Sequence, residues 1–145
     1  MKIVVQGVKE AEVKVKNENV GKITKGFLVF LGVTHDDTKE KADYLVKKLC
    51  NLRIFADENN KMNLSLKDIK GEILIISQFT LYANTEKGNR PSFTEAALPQ
   101  KAKELYEYFI SKCKEKEFKV EQGIFGAHME VALVNDGPVT IIMEK

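Results

Sequence analysis

The chain contains two kinds of apolar pattern, one typical of β-strands and one typical of α-helices, and the strand patterns occur first along the chain. Residues 2–8 are mainly apolar, and Glu10 to Lys16 alternates strictly between apolar and polar positions, which places Ala11, Val13 and Val15 on one face. Gly26 to Val33 is continuously apolar, as expected of a strand buried on both faces. Asn17-Glu18-Asn19 predicts a hairpin turn. The predicted strands are 2–8, 10–16, 26–33, 53–56, 73–81, 117–122, 127–134 and 138–144.

Helical spacing appears twice. Apolar residues recur every three or four positions behind Asp37 and Glu40, a pair that resembles a capping box, so a helix is predicted from about 38 to 51. A second helix begins near Pro99 and continues along the stripe Ala102, Leu105, Tyr106, Phe109, Ile110 and Cys113. The order β-β-β-α-β-β-α-β-β-β predicts an α/β fold in which mixed β-sheets are layered against two helices, a three-layer α/β/β arrangement.

Length and composition restrict the class of protein. The 145 residues predict a single domain over 1–145, and 43% hydrophobic with 30% charged residues is typical of a globular chain. The longest apolar run, Gly26 to Val33, is too short to span a bilayer, and residues 1–5 do not resemble a leader sequence, so we expect a cytoplasmic protein. Cys50 and Cys113 fall within the helical patterns, which favours structural packing over a redox or metal role.

Charge alone does not predict a nucleic-acid partner. The net charge is only +2. A local excess of lysine occurs in and after the second helix, but glutamates are interleaved with it, and a solvated helix face is the favoured interpretation. The lysines are Lys101, Lys103, Lys112, Lys114, Lys116 and Lys119.

The first candidate segment is Ser77-Gln78-Phe79-Thr80-Leu81, at the end of a buried strand. If the strand continues, Ser77 and Phe79 face one side and Gln78 and Thr80 the other. A hydroxyl nucleophile needs a base within hydrogen-bonding reach, and neither His35 nor His128 is placed beside Thr80 by the sequence. Hydroxyls that bond neighbouring backbone are therefore the favoured interpretation. No G-x-S-x-G, H-E-x-x-H, Cys/His cluster or Gly-rich phosphate loop is present.

The second candidate segment is Asn135-Asp136-Gly137-Pro138-Val139-Thr140, between two apolar runs. Pro138 lacks an N–H and cannot occupy the middle of a regular ladder, while Asp136-Gly137 is a good turn dipeptide. From residue types alone, an edge-strand turn with a trans proline is expected.

Together, the two segments resemble the paired motifs S-Q-F-T-L and N-x-G-P-V-T of D-aminoacyl-tRNA deacylases. The resemblance extends to the Val-Val-Gln start, Gly32-Val33, 51–55, 88–93 and 123–126. It implies a hydrolase of the ester in D-aminoacyl-tRNA, and of glycine mischarged on tRNA-Ala, that works as a cytoplasmic homodimer. It implies no metal or other cofactor, no membrane and no DNA partner.

The resemblance also assigns roles to residues. It implies that Ser77, Gln78, Phe79 and Thr80 line the ester pocket, with backbone N–H groups near Phe79 and Thr80 as an oxyanion hole or, alternatively, Thr80 as the nucleophile. It implies that Gly137-Pro138 is cis, reaches the partner's pocket and excludes L-amino acids. Asn135 and Thr140 belong to the same substrate-binding motif. Phe125 and Met129 match positions around the 3′-terminal adenine, although both are equally compatible with a core role.

One position departs from the family pattern. Where relatives commonly carry an arginine that braces the Gly-Pro segment, this chain has Gly7, and Lys9 or Arg53 is a candidate substitute. The loop from Lys87 to Arg90 and the helix lysines are candidates for tRNA phosphates. Two alternatives remain open: a non-catalytic tRNA- or RNA-binding domain of the same fold, and a hydrolase of free D-amino esters or peptides.

Overall fold

The computed structural model describes residues 1–145 as eight strands and two α-helices. In chain order these are β1 (Lys2–Val15), β2 (Glu18–Ile23), β3 (Gly26–Gly32), α1 (Lys39–Cys50), β4 (Arg53–Ala56), β5 (Met62–Ser65), β6 (Glu72–Ser77), α2 (Pro99–Lys114), β7 (Val120–Gln122) and β8 (Glu130–Glu144). A 3-10 helix at Phe79–Tyr82 follows β6.

The long first strand organises the main sheet. Its first half pairs antiparallel with β3 and its second half with β2, while β8 pairs with β1 along nearly its whole length. Beyond β3 the sheet continues in parallel through β6 to β7, and β4 and β5 form a separate hairpin. Because β8 pairs only with β1, it is an edge strand of 15 residues.

Apolar side chains are buried in two clusters on opposite faces of this sheet. The larger cluster lies between the sheet and the helices and includes Phe27, Leu45 and Phe109. The smaller one lies on the other face and includes Leu28, Leu74 and Ile76. Neighbouring residues of β3 and β6 thus serve different clusters, as the alternation of side chains in a strand requires. The predicted α/β class, with two helices against mixed sheets, is confirmed.

Several predicted boundaries are wrong. The predicted strands 2–8 and 10–16 are one strand, and 127–134 and 138–144 are also one strand. The hairpin turn lies at Lys16 and Asn17, both with positive φ (51° and 65°), so that Glu18 and Asn19 already belong to β2, which the sequence did not predict. The short strand β5 was also missed, because its exposed, polar residues carry little periodicity.

The predicted capping box at α1 is wrong as well. Thr38 is the N-cap and makes no side-chain cap hydrogen bond. Asp37 is instead buried, at 2% exposure, where its carboxylate pairs with the Met1 ammonium and accepts from the Thr34 N–H at 2.8 Å. A buried carboxylate needs such partners, and they satisfy it better than a helix end open to water. Cys50 and Cys113 are buried, unpaired thiols in the last turns of the two helices.

Candidate functional site

The first polar segment lies where β6 ends and the chain turns over β3. The strand stops at Ser77, and the Gln78 N–H still donates to the Leu31 carbonyl at 2.8 Å before the 3-10 helix begins. The turn packs directly over Gly32, where a Cβ would lie 3.0 Å from Leu81 Cβ and 3.1 Å from the Gln78 carbonyl oxygen. The predicted strand over Ser77 to Leu81 is therefore wrong after its first residue, because the backbone folds back onto a glycine.

This turn leaves backbone donors available. The first hydrogen bond of the 3-10 helix runs from Leu81 N–H to the Gln78 carbonyl, at 3.3 Å. The N–H groups of Phe79 and Thr80 precede that bond, so the helix itself gives them no acceptor. The Thr80 hydroxyl accepts a hydrogen bond from the Gln78 amide, and no histidine bonds to it. The segment therefore offers backbone donors more readily than an activated hydroxyl.

A cavity of about 450 Å³ opens beside the turn. Ser77, Gln78 and Phe79 line one side of it, and Phe125 and Met129 line another. Eleven of its sixteen lining residues are hydrophobic, and its volume lies in the range of small-molecule sites. The structure thus brings together two predicted groups that lie about 50 residues apart in the chain. Thr80 and the segment 135–140 are not among the lining residues.

Aromatic rings surround the cavity. Phe79 is 58% exposed and packs edge-on against Phe93, with ring centroids 5.0 Å apart. Inside, the Tyr106 ring lies 5.8 Å from that of Phe125, and its hydroxyl donates to the Ile75 carbonyl at 2.8 Å. Burial raises the pKa of Tyr106 far above its ordinary value, so it remains a neutral donor.

The sequence pattern does not assign Tyr106 or His128 to this cavity, nor does it indicate that Phe93 packs on Phe79 beside it. Tyr106 belongs to the helical stripe of α2, and its polar hydroxyl at a core position is the one signal in the sequence that distinguishes it. His128 lines the cavity next to Met129 but carries no motif that would have placed it there.

The second segment is an excursion within β8. Asn135 pairs with Val8 and Thr140 with Gln6, so residues 136–139 stand opposite Gly7 alone. The Gly137-Pro138 peptide bond is cis, so the trans expectation from residue types is wrong. Gly137 has φ +130°, and a Cβ there would lie 2.6 Å from Val139 Cγ2 and 3.0 Å from the Val139 nitrogen. Glycine alone fits this position without strain, because the backbone conformation disfavours a side chain and an added Cβ would displace its neighbours.

Hydrogen bonds close the excursion at its base. The Asn135 side-chain oxygen accepts from the Val139 N–H at 3.1 Å, and its amide donates to the Thr140 hydroxyl, also at 3.1 Å. The Gln6 amide donates to the same hydroxyl at 3.2 Å. Asp136 is 3.8 Å from the Lys9 ammonium. Arg53, the other proposed substitute for an arginine at position 7, bonds instead to Asn63 of the β4–β5 hairpin.

The outer face of β8 exposes apolar side chains between polar residues such as Glu130 and Thr140. Val134 is 45% exposed and Ile142 67% exposed, on a strand whose free edge has no partner in the chain. A long edge strand with exposed apolar side chains is typical of a surface that another chain covers.

Other features of the surface contain no residue of the two candidate segments, although Lys112 and Lys116 are among the helix lysines expected as candidates for tRNA phosphates. A second cavity of about 600 Å³ lies between the last turns of the two helices and is lined by Lys47, Lys67, Lys112 and Lys116 together with Asp43 and Glu115. No group of three or more His, Cys, Asp or Glu residues is arranged to hold a metal ion. Neither helix has the length and apolar character that crossing a membrane requires.

Known proteins match over the whole chain. A family model described as D-Tyr-tRNA(Tyr) deacylase matches residues 4–144. A protein of Thermosipho africanus named D-aminoacyl-tRNA deacylase is 59% identical over 145 residues, which cover 100% of this chain and 97% of the relative. A solved structure titled "c-Myc DNA Unwinding Element Binding Protein" is 40% identical, with a TM-score of 0.93, and covers 100% of this chain and 99% of that one.

A more distant structure shares the fold. It is titled "Structural Analysis of a probable eukaryotic D-amino acid tRNA deacylase" and has a TM-score of 0.86 at 18% identity, covering 98% of this chain and 97% of that chain.

Proposed function

The chain belongs to the D-Tyr-tRNA(Tyr) deacylase family, and from that premise we propose how its site binds and hydrolyses D-aminoacyl-tRNA. It is a hydrolase of an ester bond, as its close relatives are named. The observation that carries the proposal is the single cavity that joins Ser77, Gln78 and Phe79 to Phe125 and Met129. We place this activity in the cytoplasm, where tRNA is charged and used.

The cavity suits the 3′-terminal adenosine of the substrate. Its apolar walls offer the Phe125 ring and the Met129 side chain to a purine, and stacking on an aromatic ring is a common way of holding an unpaired base. With the base inside, the ester at the ribose lies near the mouth, where Gln78 and Phe79 stand. This arrangement puts the reacting carbonyl beside the free backbone donors of the 3-10 turn.

Catalysis then depends on backbone groups and water. A water molecule adds to the ester carbonyl, and the N–H groups of Phe79 and Thr80 bind the oxyanion that forms. The bond from the carbonyl carbon to the ribose 3′ oxygen breaks, the 3′ oxygen takes up a proton, and the free amino acid leaves. The neighbouring 2′-hydroxyl assists the water. One oxyanion-hole donor contributes roughly 3 kcal/mol to such a reaction.

The Gly137-Pro138 segment of a second copy of the chain distinguishes D- from L-amino acids, and we call this segment the chirality wall. Gly137 and Pro138 are exposed and do not line the cavity of their own chain, which supports a homodimer in which each segment enters the partner's cavity. The carbonyl groups of this segment accept hydrogen bonds from the α-amino group, and the segment leaves no room for an L side chain. Glycine, including glycine mischarged on tRNA-Ala, has no side chain to exclude and is hydrolysed too. The exposed face of β8 supplies the apolar contact between copies.

The acceptor end of the tRNA meets the loop before α2. Lys87 and Arg90 are exposed in a loop whose ends are joined by the bridge between Asn84 and Ser92. The loop leads directly to Phe93, which packs on Phe79 at the cavity mouth. By contrast, several helix lysines are already paired with glutamates, as Lys103 is with Glu107 and Lys112 with Glu115. We propose no cofactor, no membrane and no DNA partner.

The direct test compares matched substrates. The protein is incubated with D-tyrosyl-tRNA, L-tyrosyl-tRNA and glycyl-tRNA-Ala, with duplex DNA as a competitor in one arm. We expect hydrolysis of the D and glycine esters, little hydrolysis of the L ester, and no inhibition by DNA. Equal rates on the D and L esters would refute the chirality wall. Binding without turnover would support the alternative of a non-catalytic tRNA- or RNA-binding domain, and turnover of D-tyrosine ethyl ester at a similar kcat/KM would support a hydrolase of free esters.

A further inference from the structure

We propose that Asn135, together with Thr140 and Gln6, fixes the position of the Gly137-Pro138 segment and thereby sets the ratio of D to L hydrolysis. This inference rests on the proposed function, since it concerns the same chirality wall. It assigns these three side chains a positioning role, in which they act on the substrate through the segment and do not contact it.

The register of the sheet shows why the segment needs such support. Between the pairs Val8–Asn135 and Gln6–Thr140, β1 advances by two residues and β8 by five. The four residues 136–139 therefore leave the ladder and lose the regular hydrogen bonds that hold the rest of β8. Of these four, the Val139 N–H is recovered by a side chain, the Asn135 oxygen.

The polar groups of Asn135 are both used within the chain. Its oxygen accepts from Val139 and its amide nitrogen donates to the Thr140 hydroxyl, each at 3.1 Å. The amide provides an acceptor to the Val139 side of the excursion and a donor to the Thr140 side, whereas a carboxylate would provide acceptors only. The same hydroxyl also accepts from Gln6 on β1, so the network ties the excursion to the neighbouring strand. Both polar groups of Asn135 thus have partners within the chain, as a positioning role requires.

Other candidates for this support are weaker. Gly7 stands opposite the excursion, and a Cβ there would have only ordinary contacts, 3.7 Å to Val139 Cβ and 3.8 Å to the Asp136 carbonyl oxygen. Position 7 therefore contributes no side chain under the segment. The ion pair of Lys9 with Asp136 is exposed and 3.8 Å long, and exposed pairs of this kind contribute little. In the network of Asn135, the bond from the Val139 N–H is partly buried and the two bonds to the Thr140 hydroxyl are exposed, so Asn135 supplies the main support of the segment.

The test combines two measurements on four variants of the network and one control variant. Asn135→Ala removes both bonds. Asn135→Asp keeps the acceptor for the Val139 N–H but loses the amide donor, so the Thr140 hydroxyl has to turn and donate to the carboxylate. Thr140→Val removes the hydroxyl, and Thr140→Ser retains it. We expect the D-to-L ratio of kcat/KM to fall about tenfold in Asn135→Ala and Thr140→Val, mainly because L-tyrosyl-tRNA is hydrolysed faster. In Thr140→Ser the D-to-L ratio should stay near the wild-type value, because the hydroxyl is retained. Glu58→Gln, at an exposed position in the turn between β4 and β5, should keep the wild-type ratio.

Hydrogen exchange separates the possible failures. The Val139 amide should exchange faster in Asn135→Ala than in wild type, and Asn135→Asp should retain its protection. Unchanged exchange at Val139, or an unchanged D-to-L ratio in Asn135→Ala, would overturn the positioning role and leave the proposed function intact. Parallel losses on both esters with the ratio preserved would also overturn it, since they indicate a direct substrate contact. A wild-type protein that hydrolyses neither ester would overturn the proposed function itself, while faster Val139 exchange in Asn135→Ala would still support the structural part.

Discussion

Replacing Gly137 by alanine is the most direct perturbation of the proposed chirality wall. The backbone there has φ +130°, a region that side chains rarely adopt, and the added methyl group would lie 2.6 Å from Val139 Cγ2 and 3.0 Å from the Val139 nitrogen. Contacts this short do not persist, so Val139 or the segment itself must move. Holding a non-glycine residue in such a conformation costs of the order of 1–3 kcal/mol.

That cost determines what each measurement should show. For a protein of this size, 1 kcal/mol corresponds to roughly 2–4 °C in Tm, so strain borne entirely by the folded state would lower Tm by up to about 12 °C. Because Gly137 and Pro138 are exposed, we expect the segment to shift and relieve part of the strain, with a Tm decrease of only a few degrees. Displacement of the wall should instead appear as a loss of D-over-L selectivity of tenfold or more.

The assay measures kcat/KM on D- and L-tyrosyl-tRNA beside thermal unfolding of the same samples. Gly88→Ala is the matched control, since Gly88 also has positive φ (+83°) but has no atom within 4 Å of the added Cβ and lies outside the wall. It should lower Tm modestly and change both substrates equally. A Gly137→Ala protein that is folded and keeps the full D-to-L ratio would show that the wall is not built from this segment.

Three further outcomes are expected. Thr80→Ala should keep most of the deacylation activity if backbone N–H groups bind the oxyanion, whereas complete loss of activity in a folded protein would favour Thr80 as the nucleophile. Lys87→Ala combined with Arg90→Ala should raise KM for D-tyrosyl-tRNA and reduce the slope of log affinity against log salt by about 0.7–0.9 per lost phosphate contact. As a control, Lys103→Ala should leave the slope unchanged, because Lys103 is paired with Glu107. The third outcome concerns Glu72. Partial burial opposes its negative charge, but hydrogen bonds from the Thr24 N–H at 2.9 Å and from Lys119 at 3.1 Å favour that charge more strongly. The pKa of Glu72 is therefore lowered from 4.5. At acidic pH the unfolded chain then binds more protons than the folded one, so this stabilisation is present above pH 4.5 and is lost as the pH falls through the pKa of Glu72 in the folded protein. The difference in Tm between wild type and Glu72→Gln should therefore shrink at low pH. A difference that stays constant with pH would contradict the assignment.

Local patterns predicted most of the architecture. Continuous apolar runs located β3 and the start of β6, and helical stripes located α1 and α2 to within a few residues. The weaker elements were missed where exposure leaves no periodicity, as in β5. The Asp37–Glu40 spacing wrongly predicted a capping box, because Asp37 is bound by the Met1 ammonium, a partner 36 residues away in the chain.

For the candidate site, the sequence provided the two motifs and their resemblance to a family, but it did not show how they act. Which residues share the cavity was decided by the parallel pairing of β3 with β6 and by the packing of α2, which bring Phe79, Tyr106 and Phe125 around one space. The turn that exposes the N–H groups of Phe79 and Thr80 depends on its close approach to Gly32 of another strand.

The sequence by itself determined which stretches are buried, where the helices lie, and which two polar segments are unusual. Burial and helical spacing can be predicted in this way because they produce periodic patterns of apolar residues among neighbours in the chain. The tertiary structure alone decided that Asn135 and Thr140 are engaged by Val139 and Gln6, that residues 136–139 leave the ladder opposite Gly7, and that this segment stands apart from the cavity of its own chain. These are properties of strand register and of contacts between distant residues, and a one-residue change of register would alter them without changing any local pattern.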